Sequence, residues 1–258
     1  MFQKISKNQL KQFASLKEKK TREKEGLFIA EGEKIIDELI HSDLEIISIL
    51  AINEWLTENT QLLKKMNHHN IFEVTTNELQ KISSLKTPNN VIAVARIPEV
   101  SFQIHNLENK LTLVLSNIQD PGNLGTIIRL ADWFGIETIV CSKNTVELFN
   151  PKVIQSTMGA FLRVNVFYEN LVSFFEELNP KIPVYGAFLD GKNIYNETLP
   201  GAGIIVMGNE SKGISNEIEK YVTHKITIPT FTQKPEKTES LNVSVATAII
   251  CSEFRRRN

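Results

Sequence analysis

The feature that most constrains the fold of this chain is the alternation of short apolar runs with helical patterns from residue 111 onward. The runs, such as those at 111–117 and 203–207, are rich in Leu, Ile and Val and are too short to be buried helices. Between them, apolar residues recur at the spacing of one helix face, as in 125–134. Strands joined by helices pair in parallel, and helices cover both faces of such a sheet. The sequence therefore predicts an α/β fold with a mostly parallel sheet in its C-terminal part.

A second, smaller pattern of the same kind precedes this one. Strand-like runs alternate with helical stretches up to about residue 96, whereas residues 98–110 lack any sustained period. A chain of 258 residues is long enough for two hydrophobic cores. We therefore predict an N-terminal α/β domain over 1–97, a linker over 98–110 and a second domain over 111–258.

The composition is that of an ordinary globular protein, with 41% hydrophobic and 23% charged residues. No segment is long and apolar enough to span a membrane, and the first residues lack the apolar core of a secretion signal. Cys141 and Cys251 stand in apolar contexts without metal-ligand spacing, which favours buried thiols in a reducing compartment. His68, His69 and His105 also lack partners at metal-ligand spacing. The sequence predicts a cytoplasmic protein with no metal site and no membrane contact.

The basic residues are concentrated near the chain ends, although the net charge is only −1. Residues 1–24 hold eight Lys and Arg residues against two Glu, a net charge of +6. Such asymmetry is typical of arms that contact nucleic-acid phosphates. Lys19, Lys20 and Arg22 are the residues that we predict to make these contacts. A solvated basic helix explains the same charges without any partner.

Three turns that follow apolar runs are rich in polar and small residues, and parallel strands would bring them to one edge of a sheet. The first, DPGN at 120–123, precedes a helix that we expect to start at Gly125, and on this helix Arg129 interrupts the apolar stripe. The turn contains no GxGxxG pattern, so a dinucleotide site is not indicated. Taken alone, Arg129 is better explained by a solvated face or a surface ion pair than by catalysis.

The second and third turns carry further candidate groups. In the second, an apolar strand runs into Gly208, where the missing side chain would let a flat ligand approach the backbone. Glu210 offers a carboxylate two residues later. In the third, Ser240 suits the N-cap of the last helix, and Asn242 follows among apolar neighbours. A plain strand–turn–helix joint explains the second turn without any ligand.

Three segments follow one another in this part of the chain: DPGNLGTIIRLADWFG, IVMGNESKGIS and IPTFTQKPEKTESLNVSVATA. In order and spacing they resemble the motifs of the SpoU (TrmH) family of RNA 2′-O-ribose methyltransferases, within the SPOUT superfamily. The N-terminal KKTREKEGLFIAEGEKIIDELI resembles the substrate-binding domain of many members. Two departures are the loop from Thr230 to Glu239, which is longer than usual, and Ser211, which stands where Gly is common.

The resemblance implies a cofactor, a fold and a quaternary structure. Family members bind S-adenosylmethionine, form homodimers and fold their catalytic domain into a deep trefoil knot, and their N-terminal domain resembles certain ribosomal proteins. Nothing in the periodicity of this chain indicates a knot by itself. The residues that match catalytic positions of the family are Asn123, Arg129, Glu210, Ser240 and Asn242. The residues expected to hold the cofactor are Met207, Gly208, Asn209, Ile228 and Leu241.

We therefore predict an enzyme that methylates a ribose 2′-hydroxyl of structured RNA, with ribosomal RNA favoured over transfer RNA. Lys19, Lys20 and Arg22 would bind that RNA. One alternative is a non-catalytic RNA-binding or ribosome-assembly factor with the same fold, and the complete set of matched polar residues argues against it. Another is a nucleotide-dependent metabolic enzyme with an anion site at the 117–125 turn; the basic first helix favours RNA over such a small substrate.

Overall fold

The computed structural model describes residues 2–64, 70–233 and 239–256. His68 and His69, the centre of the long loop after Thr230, and Arg257 lie outside these ranges. The chain divides into two compact units. The first unit comprises Met1–Val100 and Glu147–Leu162, and the second comprises Ser101–Val146 and Arg163–Asn258.

The strands and helices follow the predicted alternation closely. The strands are β1 (Gln3–Lys4), β2 (Leu27–Glu31), β3 (Ile46–Ala51), β4 (Ile71–Glu73), β5 (Val91–Arg96), β6 (Leu111–Leu115), β7 (Thr138–Ser142), β8 (Asn165–Glu169), β9 (Val184–Asn193), β10 (Gly203–Met207) and β11 (His224–Thr227). The helices are α1 (Lys7–Ser15), α2 (Lys19–Glu25), α3 (Glu33–Ile40), α4 (Asn53–Glu58), α5 (Thr60–Leu63), α6 (Thr76–Ile82), α7 (Pro121–Trp133), α8 (Pro151–Thr157), α9 (Leu171–Glu177), α10 (Asn216–Glu219) and α11 (Val243–Arg256). None of the helices within the described ranges is long and apolar enough to span a membrane.

The first unit is built on a sheet in the order β1-β4-β3-β5-β2, with β5 antiparallel to both of its neighbours. Its strand β2 is buried at every position, because helices of the same unit cover the sheet. Helix α1 begins in a capping box, in which the Ser6 side chain accepts from the backbone of Gln9 and the Gln9 side chain accepts from the backbone of Ser6. Leu10 and Phe13 of this helix pack into the core of the unit. Helix α1 is thereby fixed on the sheet.

The segment 147–162 belongs to the first unit, although its place in the sequence predicts membership of the second domain. The rings of Phe149 and Phe161 contact Phe28 of β2, with centroids 4.7 and 5.9 Å away. Aromatic pairs at these separations stabilise a core beyond the area that they bury. Periodicity shows which face of a segment is buried but not which element covers it, so this association is invisible in the sequence.

Arg22 is part of the interior of the first unit, which corrects the predicted RNA contact. Its side chain is 2% exposed. The guanidinium donates to the carbonyl oxygens of Leu16 and Lys17, at 2.7 Å each, and pairs with the carboxylate of Glu147. Buried charges persist in proteins when they are paired and hydrogen-bonded. A guanidinium enclosed in this way is not available to a phosphate, so the function of Arg22 is structural.

The second unit is built on a parallel sheet in the order β11-β9-β10-β6-β7-β8. This arrangement confirms the predicted α/β fold with a parallel sheet. The central strands β6 and β10 pair residue by residue from Leu111 with Gly203 to Leu115 with Met207, and both are buried throughout. Near-continuous apolar runs of this kind are typical of strands covered on both faces.

Two helices of the second unit begin at residues other than those expected. Helix α7 starts at Pro121 and not at Gly125, because Asp120 accepts at Oδ1 from the backbone N–H of Asn123 (2.8 Å) and proline fits the first helical position. A carboxylate thus already occupies the end of α7 where an anion site was one alternative. Helix α11 starts at Val243, and Asn242 rather than Ser240 accepts from its first backbone N–H groups.

Candidate functional site

A cavity of about 460 Å³ opens in the second unit at the carboxyl ends of β10 and β11, beside the middle of β9. Ligands of parallel α/β sheets bind beyond strand ends in this way. Its walls are drawn from the segments 187–189, 207–213, 226–228 and 239–250. The five residues predicted to hold the cofactor all lie on this cavity: Met207, Gly208, Asn209, Ile228 and Leu241. Their contact with a cofactor stays a prediction.

A chain of hydrogen bonds links the three motif segments. Asn123, from the first motif, donates from Nδ2 to Oε1 of Glu210 in the second, at 2.8 Å. The same amide accepts at Oδ1 from Nδ2 of Asn242 in the third motif, at 3.0 Å. Glu210 also lines the cavity. The structure therefore joins Asn123, Glu210 and Asn242, three of the predicted catalytic residues, into one hydrogen-bonded series at this edge of the sheet, which we call the polar chain.

The loop that carries Glu210 is held by the side chain of Asn209. Its Oδ1 accepts from the backbone N–H groups of Ser211 and Lys212, at 3.0 Å each. Its Nδ2 donates to the carbonyl oxygen of Asn117 at 2.8 Å and to Oε2 of Glu210 at 3.3 Å. Asn117 itself has a φ of 59°, in the left-handed region that Asn tolerates better than most residues. One amide thus fixes the loop and the orientation of its carboxylate.

The structure shows a requirement for glycine at position 208 that the sequence does not suggest. A Cβ at this position would lie 2.3 to 2.6 Å from backbone atoms of Gly213 and Ile214. Contacts this short force the backbone of the turn to move, whether or not a ligand is present. The glycine is therefore required by the close return of its own loop, in addition to any approach of a ligand.

Arg129 and Ser240 complete the predicted catalytic set but do not join the polar chain. Arg129 is exposed on α7, six residues beyond Asn123, which is about 9 Å along a helix axis. Its side chain has no hydrogen bond or ion pair within the described residues. Ser240 lines the cavity. The guanidinium is consequently available to a group that approaches from outside the protein.

One wall of the cavity was not predicted, and it comes from Ala187, Phe188 and Leu189 of β9. The ammonium group of Lys225 lies 4.7 Å from the centre of the Phe188 ring and donates to Glu219 at 2.5 Å. This hydrogen bond raises the pKa of Lys225, and the ammonium group lies over the ring at the distance of a cation–π contact. Its position in the sheet could have indicated this wall, since β9 pairs with β10, the strand that ends at Met207 in the cavity.

In the first unit, both lysines predicted to bind RNA are exposed on α2. Lys19 lies 3.6 Å from the carboxylate of Glu23, a surface pair of small energetic weight. Lys20 has no acidic partner among the described residues. Lys7 and Lys11, one turn apart on α1, are exposed and equally unpaired within the described ranges. These lysines are accessible to a polyanion, in contrast to Arg22.

Two family models match the chain in succession. The one described as the SpoU rRNA Methylase family matches residues 110–252, which contain the cavity and the polar chain. The one described as an MRM3-like substrate binding domain matches residues 7–93.

Individual proteins resemble the chain over nearly its whole length. The 23S rRNA (guanosine(2553)-2'-O)-methyltransferase RlmP of Bacillus subtilis is 29% identical over 254 residues, 97% of each chain. A solved structure assigned to the TrmH family of RNA methyltransferases, from Porphyromonas gingivalis, is 37% identical with a TM-score of 0.83, over 98% of this chain and 99% of that one. The AdoMet-bound rRNA methyltransferase from Sinorhizobium meliloti, 23% identical, shares the fold with a TM-score of 0.83 over 98% and 96% of the two chains. These matches confirm the resemblance seen in the motifs: the chain belongs to the SpoU rRNA methylase family.

Proposed function

We propose that this chain is an S-adenosylmethionine-dependent enzyme that methylates a ribose 2′-hydroxyl of structured RNA, with ribosomal RNA as the substrate. The observation that carries the proposal is the meeting of the three motifs, in which Asn123, Glu210 and Asn242 are hydrogen-bonded beside one cavity. Membership of the family supports the chemistry. The name of the Bacillus subtilis relative, which specifies a nucleotide of 23S rRNA, supports ribosomal over transfer RNA.

The cavity suits S-adenosylmethionine in its size and in the character of its walls. Its volume of about 460 Å³ falls within the range of small-ligand sites, roughly 300–1,000 Å³. Met207, Ile228 and Leu241 offer apolar surface suited to a planar base, and the backbone around Gly208 and Asn209 offers polar groups. When bound, the cofactor supplies a methyl group on a positively charged sulfur, which is a good leaving group. We therefore propose a reaction without a metal ion.

The residues of the chain contribute mainly by positioning. Methyl transfer requires the ribose oxygen to lie in line with the methyl group, and correct orientation of two reactants accounts for a large part of such a rate. Asn123, Asn242 and Ser240 would orient the ribose, and Glu210 holds the Asn123 amide in one orientation. A guanidinium is too weak a base to take the hydroxyl proton unaided, so the exposed Arg129 is better suited to hold the phosphate next to the acceptor ribose.

We propose a division of function along the chain, with RNA binding over 1–97, a linker over 98–110 and catalysis over 111–258, apart from the segment 147–162, which folds with the first unit. Lys19 and Lys20 are exposed and placed to contact phosphates, whose counterions are released on binding. Family membership implies a ribosomal-protein-like fold for the first domain and a deep trefoil knot in the second. Because the relatives named above are bacterial RNA methyltransferases, we propose a cytoplasmic location.

We further propose that the enzyme is a homodimer. Helices α7 and α11 pack against each other, and each carries an exposed apolar side chain: Trp133 is 83% exposed on α7, and Val245 is 48% exposed on α11. Exposed apolar side chains of this size, here one near the end of α7 and one near the start of α11, are typical of interface residues. A second copy of the chain is the partner that family membership implies.

The decisive experiment is mass-spectrometric mapping of 2′-O-methyl nucleotides in RNA from cells with and without this gene. We expect one ribosomal nucleotide to lose its methyl group, and the purified protein with S-adenosylmethionine to restore it in vitro. The Asn123→Ala variant, which breaks the polar chain, is the impaired control. If no ribose methylation depends on the gene and calorimetry detects no cofactor binding, the proposal fails and a ribosome-assembly function takes its place.

A further inference from the structure

Ser244 is a buried residue of α11 whose hydroxyl contacts Asn242 of the polar chain and does not line the cavity. Its side chain is 8% exposed, and it is not among the described residues that line the cavity. Its Oγ donates to Oδ1 of Asn242 at 2.6 Å. The same oxygen accepts from the backbone N–H groups of Ser244 and Val245, at 2.9 and 3.4 Å. Three donors therefore converge on one amide oxygen.

This convergence determines the direction of the whole polar chain. Because Oδ1 of Asn242 faces the start of α11, its Nδ2 faces away and donates to Asn123. Asn123 must then present Oδ1 to Asn242, which leaves its Nδ2 to meet the carboxylate of Glu210. Reversal of either amide would oppose two N–H groups or two oxygens, which is unfavourable.

The two backbone N–H groups at the helix start require an acceptor at position 242 but do not require that it belong to an amide. An ionised Asp would also be a good N-cap, yet it would offer no donor to Asn123. The hydroxyl of Ser244 is the shortest of the three contacts and the one that a side chain supplies. Helix capping therefore explains the presence of an acceptor at 242, whereas the hydroxyl at 244 adds control of the amide that carries it.

We propose that Ser244 is a positioning residue for methyl transfer, acting through Asn242 on Asn123 and Glu210. This inference rests on the proposed function, because positioning has meaning only if the polar group orients an acceptor ribose. The expected consequence of removing the hydroxyl is a slower chemical step with unchanged binding of S-adenosylmethionine and RNA. We expect Ser244→Ala to lower the single-turnover rate about tenfold at saturating RNA.

The test is a double-mutant cycle of Ser244→Ala with Asn123→Ala, assayed by transfer of a radiolabelled methyl group to RNA. Ser252→Ala is the matched control, since Ser252 is exposed on the same helix. If Ser244 acts through Asn123, its replacement slows the wild type but adds little in the Asn123→Ala background. Equal losses in both backgrounds would overturn the inference. Ser244→Cys, close in shape but a weak donor, repeats the cycle if Ser244→Ala does not fold.

Binding and stability measurements separate this inference from the function on which it rests. A wild-type protein that methylates no RNA contradicts the proposed function. An active wild type with a Ser244→Ala variant of equal rate contradicts only the positioning. A rate loss accompanied by a matching loss of cofactor affinity also overturns the inference, because the residue would then act on binding. A rate loss at unchanged affinity, rescued by Ser244→Thr, supports it.

Discussion

Replacing Arg22 with alanine is expected to lower the free energy of unfolding of the first unit by about 3 kcal/mol. The side chain is 2% exposed, and it donates to two carbonyl oxygens and pairs with the Glu147 carboxylate. Removing one partner of a buried ion pair costs about 3–5 kcal/mol, because the other charge stays buried. The lower end applies here, since the Glu147 side chain is 20% exposed and can regain water. In addition, Nε of Arg22 lacks a partner among the described residues.

The measurement is urea unfolding followed by tryptophan fluorescence. The chain has two tryptophans, so in a Trp133→Phe background the buried Trp55 reports on the first unit alone. Lys20→Ala is the matched control, because Lys20 is exposed on the same helix, and its stability should change by less than about 0.5 kcal/mol.

RNA binding should distinguish the same two variants in the opposite way, with Lys20→Ala affected and Arg22→Ala unaffected. Lys20→Ala should flatten the log–log salt dependence by about one unit, whereas Arg22→Ala, assayed where it is folded, should not. A stable Arg22→Ala protein with a flattened salt dependence would refute the buried pair.

Four further outcomes are expected. Arg129→Ala should leave cofactor binding intact and slow single-turnover methylation by on the order of 10²-fold; a wild-type rate at saturating RNA would remove it from the catalytic set. Gly208→Ala should lower the free energy of unfolding by about 1–3 kcal/mol even without cofactor, because its Cβ meets the backbone of its own loop; a change confined to cofactor affinity would point to the ligand instead. Trp133→Lys should convert a dimer into a species near the 29.3 kDa of one chain in light scattering, and a wild type already of that mass would contradict the dimer. Burial raises the pKa of Cys251 to about 12 and that of Cys141 further still, so neither thiol should react with a thiol reagent at pH 8 until the protein unfolds.

Much of the fold could be predicted because its elements carry strong local signals. The strand from Leu111 to Leu115 is apolar at every position except Thr112 and is buried on both faces. Strands joined by helices can pair in only a few topologies. The parallel sheet in turn predicts that turns after strands share one edge. This shared edge allowed three residues that are far apart in sequence to be grouped, namely Asn123, Glu210 and Asn242. The motifs that contain them gave the same grouping.

The parts that could not be predicted depend on contacts made by distant segments. The sequence shows Lys19, Lys20 and Arg22 as one basic run and does not distinguish them. Only the position of Glu147 in the fold determines which of these cations is buried. Ser240 and Asn242 are both good N-caps, and local preference does not choose between them. The structure places the cap at Asn242, whose amide also meets Asn123.

The association of residues 147–162 with the first hundred residues bears on how proteins of this kind can be rebuilt by recombination. A single crossover in 98–110 would replace the leading part but keep Phe149, Phe161 and Glu147 from the original chain. Those side chains would then face a new partner in place of Phe28 and Arg22. A chimera that keeps these contacts therefore requires the exchange of two segments, the residues up to 100 and residues 147–162. On the proposed division of function, the segment to exchange when redirecting such an enzyme to another RNA is discontinuous in the gene.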